Sequence, residues 1–152
     1  MTVYDNNGRP DEYDLYDCRI HSMRFFMEEW NRDFILDIDY IVEGPLNDDP
    51  PFNFIITKGE VSFPDLQSIS FSVDSGWDKY KRNVFNLIVF SFEKIADGIV
   101  LNGKVYGQWR INLSDNNFIT IVASAMKFSR CRNTITVDRL HLYSSERDSI
   151  EK

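Results

Sequence analysis

The chain is poor in the residues that most often hold transition metals: of its 152 residues only two are cysteine and two histidine. Cys18 and Cys131 stand far apart, in no CxxC pair and no Cys/His cluster, which excludes a disulfide framework or a zinc knuckle as the basis of the fold. Both are expected reduced and buried; Cys131, between Arg130 and Arg132, is the one thiol whose neighbours would lower its pKa. Long apolar runs are missing too. The longest, Leu87-Ile88-Val89-Phe90, falls far short of the ~20 residues of a membrane-spanning helix. Met1 to Asn7 carry neither the basic start nor the apolar stretch of a secretory signal, so a cytoplasmic protein with no membrane partner is expected. No Walker loop, GxGxxG, GxSxG, HExxH or Ser-His-Asp order occurs. The sequence therefore assigns no catalytic residue, no cofactor and no metal, and a non-enzymatic role is expected.

What the chain does have is core material. The hydrophobic share is 43% and the aromatic share 14%, with 12 phenylalanines. That suits a single folded domain over residues 1–152, with residues 1–15 as a polar N-terminal arm and 144–152 as a charged tail. Charge is unevenly spread: 15 acidic against 5 basic residues in 1–65, and 9 against 12 in 66–152, for a net −7. Such a field disfavours nucleic acid and favours a basic protein partner. A short basic cluster, Lys79, Lys81 and Arg82 with Trp77 and Tyr80, has the composition of a strand-binding loop but stands against that net charge.

In Phe34 to Val42, Phe34, Leu36, Ile38, Tyr40 and Val42 share one face of a strand, and Asp37 and Asp39 share the other. A loop at 26–33 is too short for a crossover, so the strand before it, from Tyr16 to Phe25, should pair antiparallel. If paired numbers sum to 58, Arg19 lies opposite Asp39 and His21 opposite Asp37; a sum of 60 sets His21 against Asp39, and an odd sum breaks the cluster. Asn53 to Phe63 reads as strand interrupted by a Lys58-Gly59-Glu60 turn or bulge, and Leu66 to Val73 as a one-sided strand. Val84 to Ile95 fits a helical face as well as a strand; its Val, Phe and Ile content favours strand. Asp97-Gly98 and Asn102-Gly103 are turn pairs. Strands follow at 105–113, 118–128 and 134–143, the last with a bulge near Asp138-Arg139. The fold expected is all-β with at most one short helix, an antiparallel meander closed as a barrel or a curved sandwich.

Tyr16-Asp17-Cys18-Arg19-Ile20-His21 followed by Leu36-Asp37-Ile38-Asp39-Tyr40-Ile41 resembles a group of small bacterial proteins. They share an Asp-Cys-x-Ile-His strand, an Asp-Ile-Asp-Tyr-Ile strand, a Phe-x-x-Leu-type hairpin and a Trp-x-Ile strand near the end. Val61 to Ile69 and Trp109 to Phe128 are similar to the later parts. The chain departs from the pattern at Glu43-Gly44, where many members have a tryptophan. The resemblance is compatible with immunity-like proteins of bacterial toxin systems, which are likewise small, acidic and cytosolic. The function expected is thus protein binding, in the form of an immunity-like protein neutralising a basic toxin, with Glu28, Glu29, Trp30, Asp48 and Asp49 in the loops that reach a partner and Arg19, His21, Asp37 and Asp39 as a charged cross-strand cluster. Two alternatives stand beside it: a barrel binding a small molecule or metal through His21, Asp37 and Asp39, and a structural or assembly role through an exposed strand edge.

Overall fold

The computed structural model of the protein describes residues 2–5, 14–73 and 87–150. Apolar residues recurring at a period of two drive ten strands there: β1 (Thr2–Asp5), β2 (Arg19–Glu28), β3 (Asn31–Glu43), β4 (Phe54–Phe63), β5 (Ser68–Ser72), β6 (Val89–Leu101), β7 (Lys104–Leu113), β8 (Phe118–Ala123), β9 (Lys127–Arg130) and β10 (Ile135–Val137). One short helix, α1 (Ser144–Ser149), follows them. The strands form two antiparallel sheets, a six-stranded one ordered β1-β9-β4-β3-β2 with β10 also on β4, and a four-stranded one ordered β5-β8-β7-β6. Neither sheet closes on itself, so of the two expected architectures the molecule is the curved sandwich. No helix among the described residues is long and apolar enough to cross a membrane.

Phe34, Leu36 and Ile38 of β3 face the gap between the sheets and meet Trp109, Ile111 and Ile121 of the opposite sheet. Trp109, Phe63 and Phe34 make a continuous aromatic contact, with ring centroids 5.7 and 6.2 Å apart. At one corner the sheets are stitched together: Ile20 N–H donates to the Leu87 carbonyl, and Val89 N–H to that of Cys18. The edge strand β2 of one sheet is thereby tied to the start of β6 in the other.

Several local expectations are corrected. Lys58-Gly59-Glu60 does not turn; it runs through the middle of β4, with Gly59 opposite Ile38. A Cβ there would lie 3.0 Å from Ile38, 3.1 Å from Tyr40 and 3.2 Å from Phe128. The glycine is a packing requirement that lets the Tyr40 and Phe128 rings meet at 4.8 Å. Asp97-Gly98 does not reverse the chain either: Gly98, at φ +73°, sits within β6 where its register slips, and the reversal is at Asn102-Gly103, with φ of +51° and +79°. Phe118 to Phe128 is two strands on different sheets, because after Ala123 the Ser124 N–H turns to the Pro64 carbonyl. The strand expected over 134–143 stops at Val137, and the supposed bulge at Asp138-Arg139 is where the chain leaves the sheet. The supposed arm contributes β1, paired with β9, and the supposed tail contributes α1. Residues 77–82, with their basic cluster, lie outside the described residues; from Val89 onward the ambiguous segment is strand.

Gly59→Ala should lower the unfolding free energy by ~1–3 kcal/mol, the usual range for overpacking a filled core. Urea denaturation reads this, and an unchanged midpoint would mean that the rings around Gly59 are free to move aside.

Candidate functional site

The outer face of β3, turned away from the other sheet, carries Asp37 and Asp39. Asp39 is 0% exposed, and a carboxylate removed from water is tolerated only when its charge and lone pairs are met. Its Oδ2 accepts from Arg19 Nε at 3.1 Å and from the Leu142 N–H at 3.2 Å; its Oδ1 accepts from Arg147 Nη1. Arg19 Nη2 reaches back to the Leu142 carbonyl at 3.0 Å, and Arg147 Nη1 also donates to the Ile38 carbonyl at 3.3 Å. Two arginines and a main-chain amide thus converge on one carboxylate. Between them they tie β2, β3, the 138–143 segment and α1 together.

Arg19 does pair with Asp39, and Ile20 with Ile38, at the expected sum of 58. The pairing of His21 with Asp37 does not form. A bulge takes up His21, the register becomes odd, and Ser22 stands opposite Asp37. Ser22 Oγ donates to Asp37 Oδ2 at 2.7 Å and Arg24 Nε to the same atom at 3.2 Å; Arg24 Nη2 continues to Glu60 at 2.9 Å. The slip that would have scattered the cluster is absorbed by one extra residue, and Asp37 keeps a polar partner set of different membership. His21 is exposed, and its pKa is pushed down by partial burial and by the positive charge of Arg147. His141 is pushed the same way, by burial and by Arg19.

This arrangement does not suit acid–base or metal chemistry. Asp39 already accepts three hydrogen bonds, and among the described residues no group of three or more His, Cys, Asp or Glu side chains is placed to hold a metal. The two carboxylates also face outward and not into the interior of a barrel. Cys131 is buried with Ile56, Val137 and Leu142, as a structural cysteine should be, and burial pushes the Cys18 thiol up to about 12.

Two hollows open on either side of the Asp39 knot. One, of about 380 Å³, is lined by His21, Arg24, Asp37, Lys58, Ser144 and Arg147 among others, and carries both signs of charge. The other, of about 490 Å³, lies at the Glu43 end of β3. Its charged lining among the described residues is Asp14, Asp17 and Glu43, with no basic side chain, and Tyr16, Tyr40 and Phe54 stand in its wall. From it runs the 44–53 loop, on which Asp48 and Asp49 are exposed. Asn47 holds that loop in shape: Nδ2 donates to the Asp49 and Pro51 carbonyls at 2.6 Å each, and Oδ1 accepts from the Asn53 N–H at 2.8 Å.

No family model, curated protein or solved structure matches the chain. The resemblance described from residues 16–21, 36–41, 61–69 and 109–128 is a likeness of sequence pattern, and the site's geometry carries the functional reading.

The expected partner-contacting residues are not brought together. Glu28, Glu29 and Trp30 form the tip of the β2–β3 hairpin, whereas Asp48 and Asp49 follow the other end of β3. Thirteen residues of strand separate the two groups, roughly 40 Å of extended chain. Arg147, Leu142 and Asp14 are site residues that the sequence pattern alone does not mark. A signal for Arg147 was present: in Tyr143-Ser144-Ser145-Glu146 the Glu146 carboxylate accepts from the Tyr143 N–H at 2.8 Å, a capping-box arrangement that starts a helix and turns Arg147 and Ile150 inward. Arg139 completes the cap by pairing with Glu146, and this hydrogen bond holds the Glu146 carboxyl below its ordinary value.

Asp39→Ala or Arg147→Ala should each cost roughly 3–5 kcal/mol, because each leaves a buried charge without its partner. Asp37→Ala, among more exposed groups, should cost about 1 kcal/mol or less. Urea denaturation of the three variants separates these expectations; equal losses at Asp37 and Asp39 would contradict them.

Proposed function

We propose that the protein is a binding domain which receives a basic segment of a partner protein in the groove at the Glu43 end of β3. One observation carries this reading: three carboxylates and, among the described residues, no cation line a groove that also has Tyr16, Tyr40 and Phe54 in its wall. A lysine or arginine side chain entering it would meet opposite charge and the faces of Tyr16, Tyr40 and Phe54, two attractions that act on the same cation. The acid excess of residues 1–65 steers such a partner from a distance. The ordered 44–53 loop presents Asp48 and Asp49 beside the groove at little entropic cost. In its biological form this is an immunity-like role in which the partner is a basic toxin met in the cytosol.

Fluorescence anisotropy with a labelled arginine-rich peptide tests the site. The triple variant Asp14→Asn, Asp17→Asn, Glu43→Gln should weaken binding at least about tenfold, with marked salt sensitivity. A control that removes as many charges elsewhere, Glu28→Gln, Glu29→Gln, Glu93→Gln, should change it little. Equal losses in both would reduce the effect to net charge. A toxin encoded beside this gene is the first natural partner to assay, and the groove variant should fail to inhibit it.

A second reading, binding of a small anion, has the 380 Å³ hollow in its favour. Lys58 lines it and makes no ion pair among the described residues, while Arg24 and Arg147 are already engaged. A thermal shift with small carboxylates and phosphates should then appear and vanish in Lys58→Gln. No shift with either class would sink this reading.

A further inference from the structure

The strand β2 ends the six-stranded sheet, and its outer edge pairs with no other strand from Ser22 to Glu28 among the described residues. Natural edges are interrupted by bulges, prolines or charges that discourage pairing. Here the bulge at His21 comes before this stretch, no proline falls within it, its charges are Arg24 and Glu28 alone, and from Ser22 to Glu28 the ladder to β3 is regular. Three consecutive large apolar residues, Phe25, Phe26 and Met27, lie on the open edge, Met27 at 72% exposure, and Trp30 beyond them is 93% exposed. Such an edge is a template for another strand.

The order of residues along it is self-complementary. Let a second copy lie antiparallel with Phe26 opposite its own counterpart. Arg24 then stands opposite Glu28 of the other copy, twice, and Phe25 opposite Met27, twice. Paired numbers are all of like parity, so the outer face of one sheet continues into the outer face of the other. Arg24 lies over β3, with Nε on Asp37 and Nη2 on Glu60 of β4, so it meets the incoming carboxylate by turning from Glu60 toward the open edge. The same alignment carries Trp30 alongside Ser22 of the other copy. Centring the pair on Phe25 instead sets Arg24 against Phe26 and Glu28 against Ser22, and centring it on Arg24 sets like charges face to face.

We infer that the protein forms a two-fold dimer by antiparallel pairing of β2 about Phe26, with reciprocal Arg24–Glu28 ion pairs. This isologous contact joins the two six-stranded sheets into one. It leaves the acidic groove free, since that groove lies at the far end of β3.

Sedimentation equilibrium of the full chain across a dilution series tests the inference. The wild type should sediment as two chains. Glu28→Arg, which places two cations opposite each other at both pairs, should weaken association at least about tenfold. Combining it with Arg24→Glu should restore the dimer, because the exchange returns opposite charges to both pairs. Should Arg24→Glu fail to fold, Phe26→Asp, at the two-fold axis and away from the core, decides the matter by giving a folded monomer. A wild type that stays monomeric at every concentration, or a dimer that survives both Glu28→Arg and Phe26→Asp, overturns the inference. Peptide binding in the groove should be the same in monomeric and dimeric forms, so failure here and failure of the proposed function are told apart.

Discussion

A single buried carboxylate governs the arrangement of half the molecule. Asp39 lies in the middle of β3, the longest-paired strand of its sheet, and its charge has no water to solvate it. Arg19 comes from the neighbouring strand and is there by sheet pairing alone. Arg147 and the Leu142 amide come from more than a hundred residues further along the chain, and they arrive only if the segment after β10 folds back across the outer face. Burial of Leu142 and Ile150 against Ile56, Cys131 and Val137 supplies the apolar drive for that return. The ionic contacts fix where it lands. Neither would suffice by itself, because the apolar cluster is small and a buried ion pair gains little over its desolvation cost.

The return of that segment also makes both hollows. Leu140, on the crossing, lines the acidic groove; Ser144, Arg147 and Asp148, on α1, line the mixed-charge one. Without Asp39 the outer face of the sheet would be an open surface in both places. Its role is therefore to position, and the charged groups that face the hollows outside its network are Lys58 on one side and, on the other, Asp17, Glu43 and Asp14, whose Oδ1 accepts from the Tyr16 N–H at 2.9 Å.

The alternation from Phe34 to Val42 was readable, as were the Arg19–Asp39 pair and the Asn102-Gly103 turn, because each depends on residues near in sequence or on a two-residue period. The bulge at His21 was not. Nothing in Cys18 to Met23 distinguishes a ladder that runs through from one that slips, since the choice is settled by what Ser22 and Arg24 can reach across the strand. Gly59 misled for a related reason: glycine in a strand signals either a bend or a close approach, and only the positions of Tyr40 and Phe128, on two other strands, decide which. Arg147 was hidden by its setting. Ser144 to Lys152 has the composition of a solvated tail, and it becomes a docked helix because a carboxylate far upstream requires a cation.

The separation of the acidic loop from the aromatic tip changes what a partner can be. One compact protein seated on the groove does not also cover Trp30, because the length of β3 lies between them. The groove is concave and, among the described residues, lined by charge of one sign, which suits insertion of a cationic side chain from a different protein. The tip sets the exposed Trp30 beside Glu28 and Glu29 and runs into a strand edge that carries both charges in reversed order about Phe26, which suits a copy of itself. The proposed recognition of a partner and the inferred self-association thus make opposite demands on surface chemistry, and the length of β3 holds the two surfaces apart.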